Sequence, residues 1–144
     1  MIRKAEMKDV PILAELACRL WPDNRAEEMR AEMEEILTKP DAAFFLAYAE
    51  AAPVGFAQCQ LRYDYVEGTE TSPVGYLEGI YVAEQCRKQG LARELLAACE
   101  NWAKTKDCAE FASDCELDNA QSLQFHLNVG FEEANRIICF TKKI

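Results

Sequence analysis

The chain has 144 residues, of which 50% are hydrophobic and 28% charged, and its formal net charge is −9. This length predicts a single domain spanning residues 1–144, and the acidic balance excludes the basic face that nucleic-acid binders need. Acidic charge favours a cationic partner through electrostatic steering, but acidic charge that only keeps a protein soluble has the same composition.

The chain carries no signal for a membrane or for export. It has no run of about 18 apolar residues, and the start, Met1 to Glu6, lacks the apolar region of a secretory signal. We therefore expect a cytoplasmic protein. The seven cysteines include no C-x-x-C pair and the single histidine is His126, so we expect free thiols and no metal. A catalytic pair of His126 with a cysteine stays open, although no nucleophile motif surrounds any cysteine.

The first half of the chain alternates between helical and strand-like patterns. Apolar spacing of 3.6 residues predicts two early helices, and Asp9 is the candidate N-cap of the first. Runs rich in alanine, phenylalanine and valine predict a hairpin after them. The predicted elements are a strand at Met1–Ala5, helices at Val10–Leu20 and Arg25–Leu37, strands at Ala42–Ala49 and Val54–Tyr63, and a loop at Val66–Pro73.

The second half predicts three more strands and two helices before a final strand. These elements are strands at Val74–Val82, Glu110–Asp114, Phe131–Glu133 and Ile137–Thr141, and helices at Leu91–Trp102 and Asn119–Asn128. This order predicts an α/β fold with a mixed sheet and helices on both faces.

A strand that turns into a helix through a glycine stands in the middle of the chain. The segment Arg87-Lys88-Gln89-Gly90-Leu91-Ala92 joins the predicted strand ending at Val82 to the long helix. Free amides at a helix N-terminus bind anions, and Arg87 adds a positive charge beside them. The pattern predicts a diphosphate site. It lacks the G-x-G-x-x-G of dinucleotide folds and the G-x-x-x-x-G-K-[ST] of Walker loops.

The spacing Arg-x-x-Gly-x-Ala resembles the acyl-coenzyme A loop of the GNAT superfamily of N-acetyltransferases. A second match, from Asn119 to Gly130-Phe131, resembles the ending Asn-x-x-Ala/Ser-x-x-x-Tyr-x-x-x-Gly-Phe of that superfamily. Further segments resemble the aminoglycoside 6′-N-acetyltransferases, and together the matches span nearly the whole chain. These segments are Trp21-Pro22, Arg62-Tyr63-Asp64-Tyr65-Val66, Ser72-Pro73, Leu77-Glu78-Gly79-Ile80 and Ala112-Ser113-Asp114.

The resemblance implies a GNAT fold, with a central mixed and mostly antiparallel sheet flanked by helices. It also implies transfer of acetyl from acetyl-coenzyme A, without a metal, to the 6′-amine of aminoglycoside antibiotics, which confers resistance. The implied cofactor-binding residues are Ile80 and Val82 through their backbone, Arg87, Gln89, Gly90, Leu91, Ala92 and Asn119. Asn119 is also a candidate helix N-cap.

Two carboxylates are the candidate amine-binding and catalytic groups. Period two would place Tyr76, Glu78, Ile80 and Val82 on one face of their strand, where a carboxylate among apolar neighbours needs a partner. Asp114 ends a strand, where ligands of α/β sheets bind, but a turn role fits it equally. A structural ion pair is the alternative for Glu78.

Three further residues depend more heavily on the resemblance. Trp21 and Tyr65 suit a polar cationic ligand, although core packing is the commoner role of a lone aromatic. His126 stands where many relatives carry a tyrosine that is thought to protonate the departing thiolate. The substitution leaves a catalytic acid and a structural histidine equally open.

Two other functions also stay open, an acetyltransferase for another amine, such as a polyamine or a protein N-terminus, and a coenzyme A-binding module without catalysis. Finally, the terminal strand predicted at Ile137–Thr141 is apolar on both faces and would make a poor exposed edge. Because relatives of the resembled group are often dimers, we expect a homodimer.

Overall fold

A computed structural model of the chain describes residues 1–144. It contains five strands and four α-helices. The strands are β1 (Ile2–Lys4), β2 (Ala42–Ala49), β3 (Ala52–Arg62), β4 (Val74–Val82) and β5 (Phe111–Ala112), and the helices are α1 (Val10–Leu20), α2 (Ala26–Leu37), α3 (Leu91–Thr105) and α4 (Ala120–Asn128). Short 3₁₀ turns lie at Met7–Asp9 and Glu84–Cys86.

The strands form one mixed sheet in the order β1-β2-β3-β4-β5. The first three pairs are antiparallel, and β4 and β5 are parallel. The parallel pairing is limited to Gly75 with Phe111 and Tyr76 with Ala112. The pairing ends at Tyr76, where β5 ends, so Leu77–Val82 has no partner strand on the β5 side.

Helices cover both faces of the sheet, which confirms the predicted fold class. On one face α3 buries Leu95, Cys99 and Trp102 in the larger core cluster. The spacing of these residues is that of a helix with one apolar side. On the other face α1 and α2 bury Leu13 and Met33, among others, against β2 and β3. Cys99 is therefore a packing residue of this core.

The ends of α1 agree with the prediction, but Asp9 does not cap this helix with its side chain. Its buried carboxylate instead accepts hydrogen bonds from Arg3 on β1, at 2.7 and 2.8 Å, and from the Glu6 amide at 2.8 Å. The reason is the 3₁₀ turn at Met7–Asp9, which places Asp9 in helical backbone before α1 begins. Asp9 therefore joins β1 to the start of the helical layer.

The two strands predicted at Phe131–Glu133 and Ile137–Thr141 do not form. The chain after α4 has no regular structure, and Ile138 and Phe140 are 80% and 90% exposed. The neighbouring strand β5 has only two residues, against the five predicted at Glu110–Asp114. A pair of residues offers too few backbone groups to hold a further strand of the same chain.

A bulge in β4 overturns the predicted strand face. Leu77 pairs with Cys59 and Gly79 pairs with Gln58, so Glu78 is an extra residue between them. The bulge reverses the alternation after Leu77. Val82 belongs to the core under α3 and Ile80 packs against that core, whereas Glu78 lines a cavity on the α1 and α2 side.

No helix of the structure is both long and apolar enough to cross a bilayer. All seven cysteines are unpaired thiols, as predicted.

Candidate active site

The loop between β4 and α3 presents an open cluster of backbone amides. Gly90 caps α3 with φ of 86°, and a Cβ built there would meet no heavy atom within 4 Å. Left-handed backbone of this kind favours glycine. No carbonyl of the chain accepts from the amides of Gln89, Gly90, Leu91 and Ala92. Free amides of this kind and the helix dipole suit an anion, and the diphosphate site at this loop stays a prediction.

Arg87 is anchored beside this loop. Its Nε donates to the backbone oxygen of Val82 at 2.8 Å, and its guanidinium lies 5.9 Å from the centre of the Tyr81 ring. The bond links the end of β4 to the start of the loop. The positive charge of Arg87 therefore stands where β4 leaves the sheet, between the unpaired part of β4 and the amides of α3.

A cavity of about 300 Å³ opens on the α1 and α2 side of the sheet. It brings together two of the predicted residues, Trp21 at the end of α1 and Glu78 on β4. The lining residues are Trp21, Asn24, Met29, Glu32, Met33, Ile36, Gln58 and Glu78. The only charged side chains in this lining are those of Glu32 and Glu78. The cavity therefore suits a ligand with a positive charge and some apolar surface.

The position of Trp21 depends on Gly79. A Cβ added at Gly79 would lie 2.6 Å from two carbons of the Trp21 ring. The ring also makes an edge-to-face contact with Phe56, with centroids 6.0 Å apart. The bulge at Glu78 and the glycine after it thus leave room for the indole to pack against β4 beside the carboxylate.

Glu78 is largely buried, and it is paired with an arginine. Its side chain is 19% exposed, and Arg62 donates to it through Nε at 3.1 Å and Nη2 at 3.0 Å. Burial raises the pKa of Glu78, while the hydrogen bonds and charge of Arg62 oppose that shift, and the charge of Asp114 adds to it. A carboxylate with a raised pKa is a better proton acceptor than an exposed one.

Asp114 joins the same network from the other side. It follows β5, and the Tyr76 hydroxyl donates a hydrogen bond to its carboxylate. Burial and this bond raise the pKa of Tyr76 well above its usual value, so the phenol stays protonated at neutral pH. The guanidinium of Arg62 lies 3.4 Å from the centre of the Tyr76 ring. Tyr76 and Arg62 therefore connect the two predicted carboxylates.

His126 on α4 lies against the end of β5. Its Nδ1 is 2.7 Å from the backbone oxygen of Ser122, and its Nε2 is 2.8 Å from the hydroxyl of Ser113. Since a carbonyl only accepts, Nδ1 carries the proton of the neutral ring and Nε2 accepts from Ser113. Asn119 caps α4, as predicted, by accepting from the Ser122 amide at 3.0 Å.

Two of the predicted substrate-binding residues, Asp114 and Tyr65, do not line the cavity. Asp114 is linked to Glu78 through Tyr76 and Arg62, whereas Tyr65 has no such link. Its side chain is 75% exposed in the loop between β3 and β4, and it is absent from the cavity lining. The neighbouring Val66 is the buried residue of this loop, packed on Val74 and Tyr76.

Sequence reasoning missed several polar residues of the site. Arg62 stood inside a matched segment but received no role, because its partner Glu78 lies 16 residues further along the chain. Ser113 also stood in a matched segment, directly before Asp114. Glu32 gave no signal, since its position on the polar side of α2 is typical of a solvated charge.

The family model for the acetyltransferase (GNAT) family matches residues 10–131 of the chain. The chain belongs to the GNAT family. The match includes the end of β4, the loop at Gly90 and α3, and also α1, α2 and β3, which line the cavity together with β4.

Curated GNAT relatives are aminoglycoside N(6′)-acetyltransferases type 1. The protein from Serratia marcescens is 45% identical over 130 residues, which is 90% of this chain and 89% of the relative. The protein from Acinetobacter haemolyticus is 42% identical over 98% of this chain and 94% of its own length. These alignments reach over almost the full length of both chains.

Solved GNAT structures are similar over the whole chain. AAC(6′)-Iy in complex with the bisubstrate analog CoA-S-monomethyl-acetylneamine has a TM-score of 0.96 and 38% identity, covering 100% of this chain and 98% of that one. The apo aminoglycoside 6′-N-acetyltransferase AAC(6′)-IG from Acinetobacter haemolyticus has a TM-score of 0.95 and 39% identity, covering 100% and 99%.

Proposed function

We propose that this GNAT protein is an acyltransferase that moves acetyl from acetyl-coenzyme A to the 6′-amino group of aminoglycosides, and so confers antibiotic resistance. The observation that carries the proposal is the arrangement around β4. An open anion site lies at its end, unpaired backbone lies along it, and a carboxylate-lined cavity lies on its α1 and α2 side. Relatives at 42–45% identity named aminoglycoside N(6′)-acetyltransferase support the substrate.

Acetyl-coenzyme A would lie along the open edge of β4. Its pantetheine would bond to backbone groups of Ile80 and Val82, where β5 has diverged. Its diphosphate would meet Arg87 and the amides of Gln89 to Ala92, with charge-assisted hydrogen bonds. Asn119, at the start of α4, would also contact the pantetheine or the diphosphate region. The complex of AAC(6′)-Iy with a coenzyme A-linked analog supports this cosubstrate.

The aminoglycoside would enter the cavity beside Trp21, with one ammonium group between Glu78 and Asp114. An amine must lose a proton before it can attack, and Glu78 can accept that proton directly or through a water. The amine nitrogen then forms a bond to the thioester carbon. A backbone N–H near Ile80 or Val82 would stabilise the oxyanion that results. The carbon–sulfur bond breaks, the attacking nitrogen gives up its second proton, and the thiolate takes up a proton.

Two other functions remain alternatives. One is acetylation of a different amine, such as a polyamine or a protein N-terminus, and the carboxylates of the cavity would suit these cations too. The other is a coenzyme A-binding module without catalysis. Glu78 and Asp114 weigh against the second alternative, because a binder of an anionic cofactor gains nothing from carboxylates beside it.

A coenzyme A release assay with matched acceptors tests the proposal. We expect release with aminoglycosides that carry a 6′-amine and little release with 6′-hydroxyl analogues, since the nucleophile is missing. Equal turnover of both would contradict the 6′ position. Preference for a polyamine or a peptide would select the first alternative. Calorimetric binding of acetyl-coenzyme A without turnover of any amine would select the second.

We further propose a cytoplasmic single-domain protein that functions as a homodimer. The unpaired cysteines support a reducing compartment. The exposed apolar residues after α4 support the dimer, because they would be covered by a second copy. They are Ile137, Ile138, Phe140 and Ile144, each at least 66% exposed.

A further inference from the structure

We propose that Arg62 is a positioning residue for the reaction, which keeps the Glu78 carboxylate ionised and leaves its Oε2 oxygen as the more open acceptor for the substrate amine. The proposal rests on the proposed function, because it assigns a proton-accepting role to Glu78. A cation fixed beside a site for a cationic substrate needs such an explanation. A partly buried ion pair on Glu78 would otherwise compete with the substrate and weaken its binding.

The geometry of the pair leaves little freedom to Glu78. Arg62 is the last residue of β3 and pairs with Val74, so its side chain runs along the sheet to reach Glu78. Oε1 of Glu78 accepts from Nε at 3.1 Å and from Nη2 at 3.0 Å, and Oε2 accepts from Nη2 at 3.0 Å. The plane of the guanidinium thereby sets the plane of the carboxylate.

The three contacts load the two oxygens of Glu78 unequally. A carboxylate offers about four lone-pair positions over its two oxygens. Both N–H groups on the facing edge of Arg62 contact Oε1, and only the shared Nη2 group contacts Oε2. Oε2 therefore keeps more acceptor capacity than Oε1, so we expect an amine that bonds to Glu78 to approach Oε2. A free carboxylate could accept on either oxygen and in two orientations.

Arg62 itself is held in place by Tyr76. Its guanidinium stacks on the Tyr76 ring at 3.4 Å, and the Tyr76 hydroxyl is bonded to Asp114. Packing on the ring restrains the guanidinium, and with it the direction of its N–H donors. A lysine at this position could supply the charge but neither the stack nor the paired bonds.

The charges around Glu78 make Arg62 decisive for its protonation. Four groups surround Glu78. They are Arg62 on β3, Tyr76 on β4, Asp114 at the end of β5, and Glu32, which lines the same cavity from α2. Of these groups only Arg62 is cationic. Burial raises the pKa of Glu78 and Arg62 opposes the rise, so removing Arg62 raises that pKa further. The proton-accepting form would then be lost at a higher pH.

The test compares Arg62→Gln and Arg62→Lys with the wild type in the pH dependence of kcat/KM. For Arg62→Gln we expect the acidic limb to move to higher pH, with kcat/KM below it falling about tenfold for each unit of movement. Arg62→Lys should bring the acidic limb most of the way back to its wild-type pH but should restore only part of kcat. Arg19→Gln is the matched control, because it removes an exposed pair with Glu15 on α1. Its limb should not move.

A titration of the Glu78 carboxyl carbon by nuclear magnetic resonance, assigned with Glu78→Gln, does not depend on turnover. A higher midpoint in Arg62→Gln supports the proposal, and an unchanged midpoint or an unmoved limb overturns it. Failure of the proposed function would look different, since the wild type would then acetylate no aminoglycoside. The titration still reports on Arg62 in that case, and Arg62→Lys serves if Arg62→Gln does not fold.

Discussion

The Nε2 nitrogen of His126 lies 2.8 Å from the hydroxyl oxygen of Ser113, and its Nδ1 lies 2.7 Å from the backbone oxygen of Ser122. The ring also packs on Phe131, with centroids 5.2 Å apart. In the neutral ring these contacts direct the only ring proton at Ser122 and leave an acceptor towards Ser113. His126 in this state has no proton to donate on the side of β5.

We therefore expect His126→Ala to slow turnover only modestly, and Glu78→Ala and Asp114→Ala to reduce amine use more. A thiol with a pKa near 8.5, like that of cysteine, leaves fairly well as a thiolate at neutral pH. General-acid help is then worth less than its usual factor of about 10²–10⁴. Steady-state kinetics of the three variants decide the order. If His126→Ala is the most damaging with cofactor binding intact, the histidine is the essential acid.

Gly90→Val should raise the KM for acetyl-coenzyme A much more than that for the amine. The new side chain would project into the open space at the start of α3 and keep a phosphate from the amides. Gly130→Val is the control for backbone strain, since Gly130 also has positive φ, 101° against 86°, and also faces open space. Unchanged cofactor affinity of Gly90→Val in a calorimetric titration would refute the diphosphate site.

Asp9→Asn should destabilise the fold at neutral pH by about 1–3 kcal/mol, because Asp9 accepts charge-assisted bonds from Arg3 while buried. The bonds with Arg3 lower the pKa of Asp9 in the folded state. The stability that Asp9 contributes is therefore fully present above the pKa of the unfolded state, about 3.9. It is lost as pH falls through the lower pKa of the folded state. Urea unfolding should show the variant and the wild type converging in acid. A constant difference at all pH values would contradict this assignment.

Phe140→Asp should shift the protein towards a single chain of 16.3 kDa. The side chain is 90% exposed, so the change should not affect folding of the chain itself. A charge in an interface between apolar surfaces is costly. Light scattering at micromolar concentration measures the mass, and Leu117→Asp is the control, since Leu117 is also exposed, at 77%, but precedes α4. A wild-type mass near that of one chain would count against the dimer.

Local patterns in the sequence determined most of the fold. The ends of α1 at Val10 and Leu20 follow from apolar spacing and from Pro22 beyond them, which are properties of neighbouring residues. The turn at Gly90 and the cap at Asn119 follow from single residue types in defined places. The resemblance to GNAT proteins rested on these same short segments, and the family match confirms it.

Tertiary structure decided the strand register and the contacts between residues that are distant in the chain. The bulge at Glu78 is set by the register of two strands, so period two alone placed Ile80 on the wrong face. The bond of Arg62 to Glu78 joins residues 16 positions apart, and that of Tyr76 to Asp114 joins residues 38 apart. Strand propensity predicted a strand at Ile137–Thr141, but a strand needs a partner with free backbone groups. The two-residue β5 does not provide one, and no local pattern records that a partner is missing.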